Sequence, residues 1–400
     1  MKPVLEVADI FRRHGDAYRQ SHGDRMGRVE RRIMAAIMAC RTAALGGHVE
    51  QCTGCGKMRI SYNSCRNRHC PKCQNLARAK WLEARKAELL PVPYFHVVFT
   101  LPALLAEIAF QNKAEVYNLL MRTAADALRT MAADPRHLGA EIGLIAVLHT
   151  WGQTLQHHPH VHCIVPGGGP SPDAARWVAS QPDFFLQVQE LSAQFRKLFL
   201  DRTNAAFKAG RLKFFGALAK LADPNIFAQH LAPLSTSEWV VYIKRPFGGP
   251  EEVLAYLGRY THRVAITNSR LIELEEGKVS FSWKDYRQDG LTKIMTLSAE
   301  EFIRRFLLHA LPDGFQRIRH YGLLAHGHCA AKLALCRTLL AAPPPAPPPS
   351  PPASDYRERY RELTGHDLDI CPHCGGRMVC IRTEFPLQPH RNAPAWCDTS

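Results

Sequence analysis

Long apolar runs are missing from this chain. Nowhere do eighteen apolar residues stand together, so no membrane-spanning helix is expected. The first residues, Met1-Lys2-Pro3-Val4-Leu5-Glu6, lack the apolar core of a secretion signal, and a cytoplasmic location is expected. No Rossmann-type glycine fingerprint and no Walker motif occur, which argues against dinucleotide chemistry and a built-in nucleotide-driven helicase. No internal repeat is present, so a solenoid is excluded. Acidic residues are few beside basic ones, 36 against 51, giving a formal net charge of +15 and a pI near 9.4. Such an excess favours a polyanionic partner, with nucleic acid the default. The 400 residues are 46% hydrophobic, enough for two or three domains with real cores.

Cysteine is not scarce. In a reducing compartment the 13 cysteines read as metal ligands rather than disulfides. Cys52-x2-Cys55 and Cys70-x2-Cys73 stand fourteen residues apart between their inner cysteines, a spacing close to that of a closed four-cysteine zinc site. Cys65, His69 and His48 are alternates that could replace a ligand or begin a second site. Around these lie Lys57, Arg59, Arg66, Arg68, Lys72, Arg78, Lys80, Arg85 and Lys86, opposed only by Glu83 and Glu88, so a basic DNA-contact surface is expected. Tyr62 and Trp81 are candidates for stacking on unpaired bases. Near the other end, Cys371-Pro372-His373-Cys374-Gly375-Gly376 reads as half of a zinc ribbon whose second pair is missing; only Cys380, His390 and Cys397 follow it.

Periodicity gives a mixture of helices and strands. Helices are expected over 28–45, 75–90, 102–131, 187–208, 250–262, 299–310 and 330–340. Strands are expected over 94–101, 142–155, 158–166, 238–244, 264–274, 278–284 and 291–297, with a hairpin turn at Glu276-Gly277. Pro166-Gly167-Gly168-Gly169 lacks the Lys and Ser/Thr of a nucleotide loop and reads as a flexible turn. Eight of the ten residues from Pro343 to Pro352 are proline, the mark of an extended linker. Five segments result: a helical 1–47, a zinc-binding and DNA-contacting 48–90, a central 91–340, a linker over 341–354 and a tail over 355–400.

Two motifs carry chemistry. His158-Pro159-His160-Val161-His162-Cys163 is a strand pattern whose alternation puts His160 and His162 on one face, where two imidazoles can grip one divalent cation. On ligand softness alone that ion is Mn²⁺, Zn²⁺ or Ni²⁺. Gln153, on the preceding strand, is the first choice for a third ligand, with His149, His157 and His158 competing. Tyr256-Leu257-Gly258-Arg259-Tyr260-Thr261-His262-Arg263 places two phenols four residues apart, on one side of a helix. A free tyrosine ionises only near pH 10, so a cation and the guanidinia of Arg259 and Arg263 would favour its nucleophilic form and neutralise a phosphate. The competing reading makes both tyrosines core aromatics. Tyr242 and Tyr286 are expected to be structural.

In this order, the block from Tyr62 to Cys73, the block from His158 to Gly169 and the two-tyrosine block resemble the HUH endonuclease superfamily, and within it the rolling-circle transposases of bacterial insertion sequences. The resemblance spans roughly residues 10–340. It implies an α+β fold: an N-terminal helical and zinc-binding module, then an HUH-type antiparallel sheet packed with helices, a Pro-rich linker and a small tail. It implies Mg²⁺ or Mn²⁺ at His160, His162 and a third ligand, and structural Zn²⁺ in the cysteine module. It implies single-strand nicking by Tyr256 or Tyr260 through a 5′-phosphotyrosine, with single-stranded DNA at the element's ends and target as substrate. A helicase would come from the host, no membrane is involved, and the protein would sit with the nucleoid when bound. A replication initiator or relaxase would use the same chemistry; a non-catalytic zinc-dependent regulator would leave the histidines and tyrosines unexplained.

Overall fold

The computed structural model describes residues 5–86, 88–183, 185–244, 252, 253, 256, 258, 264–343 and 356–384. In chain order, helices α1 (Val7–His22) and α2 (Arg28–Ala39) precede strands β1 (Gly47–Cys52) and β2 (Met58–Tyr62) and helix α3 (Gln74–Lys86). Then come β3 (Tyr94–Thr100), α4 (Ala103–Gln111), α5 (Lys113–Ala133), β4 (Gly143–Trp151), β5 (His157–Pro166), the short β6 (Gly168–Pro170) and β7 (Trp177–Ala179), α6 (Val188–Lys208), α7 (Pro224–Thr236) and β8 (Val241–Lys244). The described remainder holds β9 (Leu271–Glu275), β10 (Lys278–Asp285), β11 (Leu291–Ser298), α8 (Ala299–Leu308), β12 (Ile318–Gly322), α9 (Cys329–Leu339), α10 (Tyr356–Thr364) and β13 (Met378–Glu384). Two compact units form: one from 1–87, 262–310 and 346–400, the other from 88–261 and 311–345. Among the described residues no helix is long and apolar enough to cross a membrane.

The unit built from 88–261 and 311–345 carries a fully antiparallel sheet in the order β12-β4-β5-β3-β8. Strand alternation divides its side chains. Phe95, Val97 and Phe99, Leu144, Ala146 and Leu148, and Val161, Cys163 and Val165 join one core with Tyr117, Leu120 and Leu128 of α5 and Phe195 and Phe199 of α6. Burying each large side chain contributes about 1.5–3 kcal/mol, and the same alternation sends His96, His149, His160 and His162 to the opposite face. The helix expected over 102–131 breaks at Asn112, whose side-chain amide donates to the Ile108 and Lys213 carbonyls and whose Oδ1 accepts from Lys213 N. No element is expected over 209–237, yet α7 forms there, capped by Asp223 with Pro224 in its first turn.

The glycine run after β5 is not a flexible turn. A Cβ on Gly169 would sit 2.0 Å from the Glu141 carbonyl oxygen and one on Gly168 2.4 Å from that of Val178. Its glycines are buried where backbones meet.

In the other unit, α1 packs edge-to-face through Phe11 on Phe306 of α8, with ring centres 5.3 Å apart. The β9-β10-β11 meander turns at Glu276 and Gly277, both with positive φ, as expected, and Phe281 of β10 meets Phe302 of α8. Ser298 caps α8 by accepting from Glu301 N. The strand expected over 264–274 begins only at Leu271; Asn268–Arg270 is a 3₁₀ turn in which Thr267 and Ser269 bond each other rather than a ladder. The tail expected as an appendage instead supplies β13, which pairs with β1 to make the sheet β13-β1-β2.

Candidate active site and cysteine clusters

The β4–β5 register sets His149 directly opposite His160 and Val147 opposite His162. Three imidazoles therefore converge: one ligand nitrogen from each of His149, His160 and His162 lies within 4.8 Å of the others. Their ring centres are 4.5 Å (His149–His162), 4.9 Å (His160–His162) and 5.5 Å (His149–His160) apart, all edge-to-face. His149 and His162 are buried and His160 half-buried.

Two of these rings have their second nitrogen committed. His160 Nδ1 lies 2.7 Å from its own strand's His158 carbonyl, so Nδ1–H donates and Nε2 is the atom left to face a metal. His162 Nδ1 lies 2.8 Å from His96 Nε2. Ring orientation by an outer partner is what metal-binding histidines require, and the donor set fits a divalent cation with positions left for other ligands.

Of the candidates for a third ligand, His149 stands with His160 and His162. Gln153 lies in the turn past the end of β4, a turn closed by Gly152 N on the Gln156 carbonyl and by buried Leu155 at positive φ, whereas His149 faces His160 across the ladder. His158 is exposed. His157 points toward the helices instead, with its Nε2 2.7 Å from the Tyr117 hydroxyl; burial and the Lys113 charge push its pKa down to about 4.

Tyr256 is 6% exposed. Its hydroxyl lies 2.7 Å from His96 Nδ1, and Lys244 Nζ stands 5.9 Å from the centre of its ring. His96, a residue the motifs passed over, thus links Tyr256 to His162. It is buried in β3, and burial first, then the Lys244 and His160 charges, push its pKa down to about 3, so it stays neutral. The signal was a lone polar residue inside the apolar run Tyr94-Phe95-His96-Val97-Val98-Phe99. Tyr260, Arg259 and Arg263 lie outside the described residues. Tyr242 and Tyr286, expected to be structural, are 57% and 70% exposed.

The single zinc site expected from Cys52, Cys55, Cys70 and Cys73 is divided between two clusters. Cys40, Cys65, Cys70 and Cys73 form one, and Cys52, Cys55, Cys371 and Cys374 the other, the sulfurs of each within 4.8 Å of one another. The reason lies in the β1–β2 hairpin: it carries Cys52 and Cys55 to one end, while Arg41 N on the Asn63 carbonyl ties the end of α2, with Cys40, to the Cys65–Cys73 loop. Cys65, an alternate, is a cluster member; His69 is not. Within the first cluster, contact with Cys65 holds Cys40 down to about 7, and the sharing of protons holds Cys73 low and pushes Cys65 and Cys70 up.

Of the basic residues expected to meet DNA, Arg66 is exposed at positive φ and Arg68 is half-buried. Lys72 is ion-paired with Glu6 at 2.6 Å. Arg59 pairs with the buried Glu50 at 2.6 Å and serves the interior rather than the surface. Trp81 is covered in part by Arg85, 5.7 Å from its ring centre.

The chain matches the family described as "Transposase zinc-binding domain" over residues 10–101 and the family described as "Putative transposase" over 143–332. It is 60% identical over 377 residues to "Putative transposase y4qJ" of Sinorhizobium fredii, covering 94% of each chain. It is 27% identical over 355 residues to "Transposase for insertion sequence element IS801" of Pseudomonas savastanoi pv. phaseolicola, covering 88% of this chain and 83% of that one. No solved structure matches. The cysteine clusters suit Zn²⁺, in keeping with the zinc-binding family matched at 10–101.

Proposed function

This chain belongs to the IS91-type family of transposases with an N-terminal zinc-binding domain, and we propose that it nicks and rejoins single-stranded DNA through a 5′-phosphotyrosine, as an HUH endonuclease does. The observation that carries this reading is the line from the Tyr256 hydroxyl through His96 to the three-histidine cluster. His149, His160 and His162 would hold Mg²⁺ or Mn²⁺, and three imidazole nitrogens suit Mn²⁺ better. When bound, the ion would stabilise charge on the phosphoryl oxygens.

The protein's own groups follow from the tautomers. With His162 Nε2 kept as a ligand atom, its Nδ1–H donates to His96 Nε2. Neutral His96 then donates Nδ1–H to the Tyr256 oxygen, which favours the phenolate. Tyr256 Oη attacks phosphorus while its proton passes to solvent. The bond to the 3′ oxygen breaks, and that oxygen leaves with a proton as a 3′-hydroxyl. Attack by a 3′-hydroxyl of the target strand reverses these steps and reseals the backbone with no nucleotide consumed. Tyr256 is buried at rest, so DNA entry includes its uncovering. Tyr260, with Arg259 and Arg263 for the phosphate, would serve the second strand. Arg66, Arg68 and Lys72 would bind flanking DNA, Lys72 only on releasing Glu6. Strand separation would fall to the host's replication machinery, and the protein would work in the cytoplasm at the nucleoid.

The test is a denaturing gel with the protein, Mn²⁺ and labelled single-stranded DNA bearing an element end. A protein–DNA adduct is expected, absent in Tyr256→Phe/Tyr260→Phe and in His160→Ala/His162→Ala. Intact DNA binding with neither nicking nor adduct would instead make the protein a zinc-dependent regulator. A replication initiator sharing the chemistry would give the adduct at an origin sequence but not at an element end.

A further inference from the structure

The cluster of Cys52, Cys55, Cys371 and Cys374 draws half its ligands from residues far beyond the matched zinc-binding segment, which ends at 101. Cys52 and Cys374 are 322 positions apart in sequence. Their surroundings repeat one another. Cys52 N donates to the Lys57 carbonyl and Gly56 N to the Cys52 carbonyl; Cys371 N donates to the Gly376 carbonyl and Gly375 N to the Cys371 carbonyl. Gly56 and Gly375 hold the same place in these loops with φ of 70° and 75°, a left-handed turn that favours glycine. Each loop leads into a strand, β2 or β13, and both strands pair with β1. Two matching Cys-x2-Cys loops facing each other are the two halves of a zinc ribbon, here contributed by opposite ends of the chain.

The spacing fits a metal and not a disulfide. Sγ atoms are 3.4 Å apart for Cys52–Cys374 and 3.9 Å for Cys55–Cys371. A tetrahedron of thiolates about 2.3 Å from zinc has edges of about 3.8 Å, whereas a disulfide needs about 2.05 Å. The surroundings are built to the same end. Gly54 N donates to Cys52 Sγ at 3.4 Å. A Cβ on Gly376 would come within 3.0 Å of Cys52 Sγ, so only glycine fits beside the sulfur without a shift. Thr53 N donates to the Arg377 carbonyl at 2.9 Å. Beside the cluster, buried Glu50 of β1 accepts from Arg59 and from the tail's Arg357, which also pairs with Asp369.

We propose that Cys52, Cys55, Cys371 and Cys374 bind a second zinc ion, distinct from the one at Cys40, Cys65, Cys70 and Cys73, and that this ion fastens the tail to β1 as a working part of the N-terminal module. Two zinc ions per chain are required. The experiment is elemental analysis of the purified full chain and of a Cys371→Ser/Cys374→Ser variant. At least two zinc ions are expected for the first and one fewer for the second, whatever the histidine cluster carries. One zinc in the parent chain, or as many in the variant as in the parent, overturns the assignment.

A second measurement needs no variant and so does not depend on whether one folds. The zinc-loaded full chain is treated with a thiol-alkylating reagent, with and without chelator, and its cysteine peptides are read by mass spectrometry. Cys52, Cys55, Cys371 and Cys374 are expected to be protected together and to become reactive together as metal is withdrawn. Alkylation of Cys371 and Cys374 in the zinc-loaded protein, with Cys52 and Cys55 still protected, contradicts a shared ion. Neither measurement depends on DNA cleavage, so failure here and failure of the phosphotyrosine reading are separate events.

Discussion

At the residue scale, His96 decides how the histidine cluster speaks to Tyr256. Its low pKa keeps it neutral at working pH, so it carries one proton and passes one hydrogen bond along. Its role in the proposed reaction is positioning, and it has its own signature. His96→Phe removes the donor while leaving His149, His160 and His162 in place. Adduct formation should slow by about a hundredfold, the low end of what loss of one hydrogen-bond donor to a developing negative charge costs. The rise of rate with pH should move to more alkaline values, because the Tyr256 phenolate loses a hydrogen-bond donor. Mn²⁺ affinity should fall by about 10- to 100-fold as well, because His162 loses the partner that orients it, so rates are compared at saturating Mn²⁺; His96→Asn, which keeps a donor, should recover part of the rate. A slower reaction with an unmoved pH profile would reduce His96 to a packing residue.

At the element scale, the β4–β5 hairpin sets out histidines on both its faces, and the two faces differ in kind. His149, His160 and His162 gather on the face away from the α5 and α6 core. His157, three residues before His160, turns to the helix-covered face and meets Tyr117. Its folded-state pKa is about 4 against an ordinary 6.5. The unfolded chain therefore binds the proton first. Stability should hold above about pH 6.5 and fall as pH drops toward 4, by no more than about 3 kcal/mol and by less for a half-buried ring. Urea midpoints at pH 7 and pH 5, compared between the parent and His157→Gln, measure this; an equal fall in both assigns the loss to other groups. The same hairpin shows what the sequence made legible. Alternation was enough to give β3, β5 and the facing of His160 with His162, because strand period is local. That His149 rather than Gln153 comes to stand opposite His160 was not legible, since it depends on where the hairpin turns. Pairing of the cysteines was beyond reach for a stronger reason: nearest-neighbour spacing joined Cys55 to Cys70, while folding joins Cys55 to Cys371 across a separation of 316. The tail looked like an incomplete ribbon because its complement lies at the other end of the chain.

At the scale of the whole molecule, the formal charge of +15 overstates what is offered to DNA. Several cations are spent internally: Lys72 on Glu6, Arg59 and Arg357 on Glu50, Arg202 on Asp126, Arg305 on Glu301. The carboxylates that neutralise them enter the net count as well, so the excess still marks a polyanion binder, but the number of phosphates engaged at once is set by the free face that meets the strand. For single-stranded DNA the slope of log affinity against log salt is about −0.7 per phosphate neutralised. If all 15 excess charges met phosphates at once the slope would be about −10; six contacts give about −4, a few-hundred-fold loss between 50 and 200 mM salt. We expect a slope between about −3 and −7 for an element-end oligonucleotide, measured by anisotropy with the cleavage-silent Tyr256→Phe/Tyr260→Phe protein. Arg66→Ala should lower the slope by somewhat less than one unit, because it removes one phosphate contact and leaves the zinc cluster whole. A slope near zero would mean that the basic surface is not what holds DNA, and recognition would then have to rest on stacking and base contacts alone.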